Sequence, residues 1–169
     1  MAKIYTDERV DLVDSQGVIQ ERSILRSEIH TFPHLYLQIV IAVLLNAEGE
    51  ILVHQRSKNK SVNPGDVDVV CGAIMTGEDA IEAALREAEE ETGLQPKSMA
   101  IVAQDLNVYN RYRYLLTGTV EGHPTADPNE AEWVRFMTVA ELREKQISGE
   151  LHFVKEFFDE LEQVLEQDD

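Results

Sequence analysis

The stretch Gly72-Ala-Ile-Met-Thr76-Gly77-Glu78-Asp79-Ala-Ile-Glu-Ala-Ala-Leu-Arg86-Glu87-Ala-Glu-Glu90-Glu91-Thr92-Gly93-Leu94 decides how the rest of this chain is read. It is a glycine loop followed by a helix-forming run. Thr76 is the expected N-cap, with Asp79 three residues on as its capping-box partner, and Glu78 and Asp79 suit the positive end of a helix. Gly93 is the expected stop, which places the helix from Gly77 to Thr92. Ile81, Ala84, Leu85 and Ala88 recur at helical spacing and form an apolar face, while Glu87, Glu90 and Glu91 share a second face beside it. Carboxylates this close repel one another unless a cation neutralises them. All-oxygen ligation suits Mg²⁺ or Mn²⁺ rather than Zn²⁺. Arg86, one turn from both Glu82 and Glu90, is placed to orient a carboxylate. Taken alone, the same residues also read as a solvated acidic helix.

Composition sets the frame around that motif. With 169 residues, 43% of them hydrophobic, the chain has the size of one ordinary domain and can bury a core. A formal charge of −17 without a basic stripe argues against nucleic acid as a partner and suits a protein that meets phosphates through a metal. Cys71 is the one cysteine, so an internal disulfide framework is excluded and a reducing compartment is expected. The start, Met1-Ala-Lys-Ile-Tyr-Thr-Asp-Glu8, lacks an apolar signal core, and no apolar run reaches the roughly 18 residues of a membrane helix. The expectation is a soluble, cytoplasmic protein with no membrane partner.

Outward from the motif, Val67 to Ile74 reads as the strand that delivers Gly72. Before it, Arg56-Ser-Lys58-Asn-Lys60-Ser-Val-Asn-Pro64-Gly65 is a basic loop, whose Arg56, Lys58 and Lys60 are either surface charge or phosphate contacts. Tyr36 to Leu45 and Glu50 to Gln55, joined by Asn46-Ala-Glu-Gly49, read as a strand pair at the centre of the sheet. Arg9 to Val13 and Val18 to Glu21 flank the turn Asp14-Ser-Gln-Gly17 as a hairpin, and a polar connector follows through His34. After the motif, Met99 to Gln104, Tyr109 to Val120 and Glu132 to Phe136 read as strands, with a loop at Gly122 to Asn129. Thr138 caps a short helix to Lys145, and Leu151, Val154, Phe157, Phe158, Leu161, Val164 and Leu165 mark a final amphipathic helix. That helix packs on the sheet or, as the alternative, zips a homodimer. Gln167 to Asp169 should fray. No repeat or linker divides the chain, so one α/β domain with a mixed sheet flanked by helices is expected.

The spacing of Gly72, Glu78, Arg86-Glu87, Glu90-Glu91, Gly93 and Leu94 resembles the Nudix box at every specified position, with Ala88 where the family more often carries a larger aliphatic residue. The resemblance implies an α/β/α sandwich over residues 1–169, with 1–35 as an N-terminal hairpin extension, 72–94 as the box and helices at the C-terminus. It implies that Glu87, Glu90, Glu91 and the Gly72 carbonyl hold Mg²⁺ or Mn²⁺, with Arg86 in support. Water would then attack phosphorus in a nucleoside diphosphate linked to a second group. A base outside the box is expected, and Glu132, just before Trp133, is preferred over Glu130. Arg56 and Lys58 would meet the phosphates.

Val10 to Gly17, Arg26 to His30, Val53 to Lys58 and Asn63 to Gly65 look like the isopentenyl-diphosphate-isomerase-like branch of these proteins. Cys71-Gly72 matches the first half of the isomerase's Cys-Gly-His-Pro signature, but Ala73-Ile74 replaces the second half, and Arg111-Tyr-Arg113 stands where that enzyme needs Glu-x-Glu. An isomerase and a nucleotide-binding module without catalysis are therefore the alternatives to a hydrolase. Cys71 reads as a small buried strand residue. Tyr109 and Tyr112 either stack on a nucleobase or belong to the sheet.

Overall fold

The computed structural model describes residues 8–167. The start of the chain, residues 1–7, and the last two, Asp168 and Asp169, lie outside the described residues, and the readings made for them go no further.

The Asp14 turn joins β1 (Arg9–Val13) to β2 (Ile19–Leu25), and its carboxylate accepts the N–H groups of Gln16 and Val18. The polar connector contains a 3-10 helix, Arg26–Thr31. β3 (Tyr36–Leu45) then runs through the middle of the sheet, because its run from Ile39 to Leu45 is wholly apolar and can be covered on both faces. It pairs in parallel with β8 (Tyr112–Thr119) from Gln38 to Leu45, and antiparallel with β1 at its start and with β6 (Val70–Ala73) in its middle.

Two expectations about these strands are corrected. β3 and β4 (Ile51–Arg56) are not a full hairpin: they meet only at Leu45 and Ile51, after which β4 pairs with β9 (Ala131–Met137) and β5 (Val67–Asp68). The two strands splay apart and leave room between them. The strand expected over Val67 to Ile74 is likewise two short strands, β5 and β6, which pair with β4 and β3 respectively across that gap. β7 (Ser98–Leu106) completes the mixed sheet on the outer side of β8.

Alternation along the strands builds one core on each face. Val40, Ala42, Leu44, Leu52 and Leu116 pack with Ala80, Ala83, Ala84 and Ala88 of α1 (Ala80–Thr92). Ile41, Val43, Ile51, Val53 and Leu115 pack with Leu142 of α2 (Val139–Ser148) and with Phe157, Phe158, Leu161 and Val164 of α3 (Phe157–Glu166). The result is an α/β/α sandwich. The apolar face of α3 is spent on this core, so it is not a dimer zipper, and Leu151 to Lys155 precede the helix rather than form its first turn.

Candidate active site

The motif helix begins later than its sequence suggests. Its N-cap is Asp79, not Thr76: Asp79 accepts the Glu82 N–H, and the Glu82 carboxylate accepts the Asp79 N–H. Thr76 instead donates its hydroxyl to Asp11 of β1, which ties the loop to the N-terminal hairpin. The buried face also differs from the expected one: Ile81 is exposed, and Ala80, Ala83, Ala84 and Ala88 pack on the sheet. The stop is Gly93, left-handed with φ 73°.

Small residues bring α1 close to β6, and Gly72 is the closest point. A Cβ on Gly72 would coincide with the Glu87 carboxyl group, so only glycine leaves that carboxylate its place. Arg86 then fastens the loop to the helix. Its Nε and Nη2 donate to the two oxygens of Glu78 at 2.6 and 2.9 Å, Nη1 donates to Glu87 at 2.7 Å, and Nη2 also reaches the Ala73 carbonyl at 2.9 Å. Glu90 lies 3.6 Å away, but the expected partner Glu82 does not take part, because it serves the cap. The Glu78 hydrogen bonds hold Arg86 firmly protonated. For Glu78, burial opposes ionisation, but the Arg86 hydrogen bonds outweigh it and keep the carboxyl below its ordinary range.

The three motif glutamates are not equivalent. Glu87 and Glu91 are buried, whereas the Glu90 side chain is 38% exposed at the rim. Glu91 accepts the Cys71 N–H at 3.3 Å and lies 3.7 Å from His54 Nε2. That histidine supplies no charge: burial, then Arg56 and Lys60, lower its pKa to about 3, and its Nδ1 has no partner among the described residues. Burial, and after it the charge of Glu87, pushes Glu91 well above the usual carboxylate range. A divalent cation fits this arrangement, because it would relieve a buried repulsion with oxygen donors alone. Among the described residues no three acidic, cysteine or histidine side chains already surround one ion position, so the acids form a repelling pair with a third at the rim rather than a finished cage.

Of these groups, Cys71, Gly72, Ala73, Glu87 and Glu91 line a cleft of about 630 Å³, in the gap between β3 and β4. Leu37, Ile39, Ile41 and Val154 make it apolar, and Arg26, Arg56, Lys60 and Arg111 bring positive charge to it. Of the expected phosphate contacts, Arg56 lines the cleft and Lys58 does not: Lys58 is exposed, and its N–H donates to Glu132 at 3.0 Å. Glu132 is also exposed and outside the lining, whereas Glu130 lines the cleft and pairs with Lys60 at 2.5 Å. Cys71 is half-buried and reaches the cleft wall rather than disappearing into the core. Tyr109 lines the cleft, while Tyr112 is buried over Gly17, where a Cβ would strike its ring.

Asp68 and Glu160 are lining residues that the sequence reading passed over, and both are almost fully buried. A signal existed for each. Asp68 interrupts the apolar run Val67-Asp68-Val69-Val70, and Glu160 falls at helical spacing between Phe157 and Val164, on the apolar face of α3. A carboxylate inside an apolar pattern marks either an error in that pattern or a site.

Comparison with known proteins agrees with this geometry. The NUDIX domain family model matches residues 35–157. A Nudix hydrolase of Deinococcus radiodurans is 28% identical over 156 residues, covering 86% of this chain and 87% of its own. An uncharacterized Nudix hydrolase of Yersinia pestis is 37% identical over 89 residues, which span 52% of this chain and 47% of that relative. An isopentenyl-diphosphate Delta-isomerase of Streptomyces coelicolor is 29% identical over 80% of this chain and 74% of its own. Among solved structures, a Deinococcus radiodurans crystal structure superposes with a TM-score of 0.70 at 28% identity, over 86% of this chain and 93% of that one. The NUDIX domain of Shewanella oneidensis NrtR, complexed with ADP ribose, shares the fold at a TM-score of 0.63 and 16% identity, over 79% and 89% of the two chains. Because that family model covers most of the chain and Gly72, Glu87 and Glu91 of the box line one cleft, this chain belongs to the Nudix hydrolase family, whose general activity is pyrophosphohydrolysis.

Proposed function

We propose that the chain hydrolyses a diphosphate bond in a nucleoside diphosphate linked to a second moiety, by attack of water on phosphorus. The observation that carries this reading is the buried pair Glu87 and Glu91 over Gly72, ordered by Arg86 on the wall of a cleft that also holds Arg56 and Lys60. Glu87, Glu90, Glu91 and the Gly72 carbonyl are the residues that would hold Mg²⁺ or Mn²⁺. When bound, the ion supplies charge neutralisation for the diphosphate and a lowered pKa for the attacking water.

The chain's own groups do the rest. Arg86 fixes the Glu87 carboxylate from behind and is itself fixed by Glu78, so the acids are presented in one arrangement before substrate arrives. Arg56 and Lys60 orient the diphosphate by charge. The apolar lining limits water to the polar end of the cleft. For the group that takes the proton from water, position favours Glu130 over Glu132, since Glu130 lines the cleft. The ADP ribose in the Shewanella domain supports a nucleoside-type diphosphate as the ligand class. No helix among the described residues is long and apolar enough to cross a membrane.

The test is a screen of nucleoside triphosphates, nucleotide sugars, dinucleoside polyphosphates and coenzyme-type diphosphates with Mg²⁺ or Mn²⁺. Cation-dependent release of a nucleoside monophosphate is expected from at least one linked diphosphate. Binding without turnover across the whole panel would leave a nucleotide-binding module instead.

One observation favours a second reading. Cys71 lines the cleft, and the Streptomyces relatives are named isopentenyl-diphosphate Delta-isomerases. Burial, followed by the charges of Asp68 and Glu91, pushes the Cys71 thiol well above its ordinary range, which leaves little thiolate to accept a proton, and the stretch Arg111-Tyr-Arg113 has no glutamate. Deuterium uptake into isopentenyl diphosphate in heavy water, lost in Cys71→Ser, would establish the isomerase over the hydrolase.

A further inference from the structure

The cleft is lined by a second pair of acids, Asp68 and Glu160, that the proposed hydrolysis leaves unused. Glu160 of α3 lines it while only 3% exposed, among the hydrocarbon of Ile39, Ile41 and Val154. Arg113 of β8 approaches one Glu160 oxygen at 3.4 Å, but that guanidinium is already committed to Asp105 by bonds of 2.8 and 2.6 Å. Arg113 therefore positions Glu160 more than it neutralises it. The other charged groups facing Glu160 are Asp68 of β5 and Glu156 just ahead of α3. Burial first, then the charge of Asp68, pushes Glu160 up to about 8, against the pull of Arg113 and with a further push from Glu156. Burial on this side of the cleft, with Arg113 committed to Asp105, favours the protonated carboxyl, which has one O–H donor and one acceptor oxygen.

That chemistry selects. An anionic group brought to this wall would meet Glu160 and Asp68 together, both of them deprived of water. A hydrocarbon chain would cover the acid and leave its hydrogen bonds unmade, which is penalised in a dry site. An uncharged group that offers both an acceptor and a donor, such as a nucleobase amide or amidine edge or a sugar diol, satisfies it.

We propose that Glu160 is the specificity-determining residue of this cleft, hydrogen-bonding an uncharged polar group of the moiety carried on the diphosphate and turning away anionic and hydrocarbon moieties. The proposal rests on the hydrolase reading and names its substrate class: diphosphates with a neutral hydrogen-bonding head group. It also assigns Arg113 and Asp105 as positioning residues, which hold the acid where the ligand reaches it.

The experiment is steady-state kinetics of the full chain with Mg²⁺ present, for wild type, Glu160→Gln and Glu160→Leu, on a nucleoside-diphosphate-linked sugar and on isopentenyl diphosphate. The wild type should prefer the sugar nucleotide by roughly 10²-fold in kcat/KM. Glu160→Gln keeps a donor and an acceptor and should stay within about threefold of wild type, while Glu160→Leu should lose roughly 10²-fold on the sugar nucleotide only, so that the preference collapses. Wild-type KM for the sugar nucleotide should rise by about tenfold per pH unit above the Glu160 transition, and Glu160→Gln should show no such rise. If Glu160→Leu does not fold, the pH profile of the folded Glu160→Gln variant decides. An unchanged preference in Glu160→Leu, or a wild-type KM that is flat through that transition, overturns the assignment of Glu160 while leaving the hydrolase in place. No turnover of any diphosphate by wild type overturns the hydrolase reading, and this assignment with it.

Discussion

Two arginines organise the two acidic walls of the cleft, and they do so by different means. Arg86 collects Glu78, Glu87 and the Ala73 carbonyl, all no more than 13 residues away, and its side chain is 25% exposed. Arg113 collects Asp105 from the adjacent strand and Glu160 from a helix 47 residues further on, and its side chain is 6% exposed. The outcomes differ as well. Glu78 is held ionised, whereas Glu160 is pushed up to about 8. A short, near-bidentate ion pair with access to water favours charge; a longer contact in an almost fully buried wall does not make up the lost hydration. The Arg86 side thus keeps one anion, Glu78, fixed beside Glu87, while its Glu91 is raised by burial just as Glu160 is.

The comparison breaks if the Arg86 wall is not the reactive one. Glu91→Gln keeps an oxygen to accept the Cys71 N–H and removes only the charge, so it should lower turnover by roughly 10³-fold, about 4 kcal/mol. It should also abolish most of the rise in melting temperature that Mg²⁺ produces. Full activity in Glu91→Gln or Glu90→Gln would take the ion off this helix.

The two arginines should separate by what their loss damages. Arg113→Ala removes a buried guanidinium that joins the half-exposed Asp105 to the buried Glu160 and should cost about 2 kcal/mol in urea unfolding, with a smaller effect on turnover per folded molecule. Arg86→Ala, at a wetter site, should destabilise by about 1 to 2 kcal/mol and remove most of the activity. Equal profiles for the two variants would show that the walls do not divide the work.

For the proton acceptor, Glu130→Gln should reduce kcat by roughly 10²-fold, about 2.7 kcal/mol, and leave stabilisation by Mg²⁺ intact. If Glu132→Gln alone lowers kcat, the base acts from outside the cleft seen here.

Acid and base should act on individual buried groups in opposite senses. Glu160 has a folded value of about 8 against an ordinary 4.5, so the native state binds the extra proton and its contribution to stability is complete below 4.5 and lost as pH rises toward 8. His54, lowered from 6.5 to about 3, behaves the other way: its neutral form favours folding above 6.5, and that contribution is lost as pH falls toward 3. Glu78, held low by Arg86, also loses its contribution as pH falls. Each proton changes stability by at most about 1.4 kcal/mol per pH unit. Urea unfolding between pH 5 and about 8 should therefore show a flatter stability curve for Glu160→Gln than for wild type, and an identical curve would contradict its buried acid.

The smallest expected effect lies where the walls meet. Cys71→Ser should lower stability by about 1 kcal/mol, since it sets a hydroxyl in a half-buried strand position, and it should keep at least about a third of diphosphate hydrolysis per folded molecule.

Much of this protein was determined by sequence alone. Period and turn chemistry locate β3 from Tyr36 to Leu45, the Asp14 hairpin, the Thr138 cap and the Gly93 stop, because each depends on neighbours within a few residues. The spacing of the box likewise puts Glu87 and Glu91 one turn apart on α1. Tertiary structure decided the rest. Asp79 rather than Thr76 caps the motif helix, because Thr76 finds Asp11 of another strand, and Arg86 turns to Glu78 because the cap has taken Glu82. The splay of β3 and β4 opens the cleft, since each strand finds a longer partner elsewhere, β8 and β9. Periodicity fixes the direction a side chain takes from its own backbone, but not what packs opposite it. Whether a carboxyl group is wet, paired or stranded depends on elements far away in the chain, so Asp68 and Glu160 became a wall only when α3 closed over the sheet.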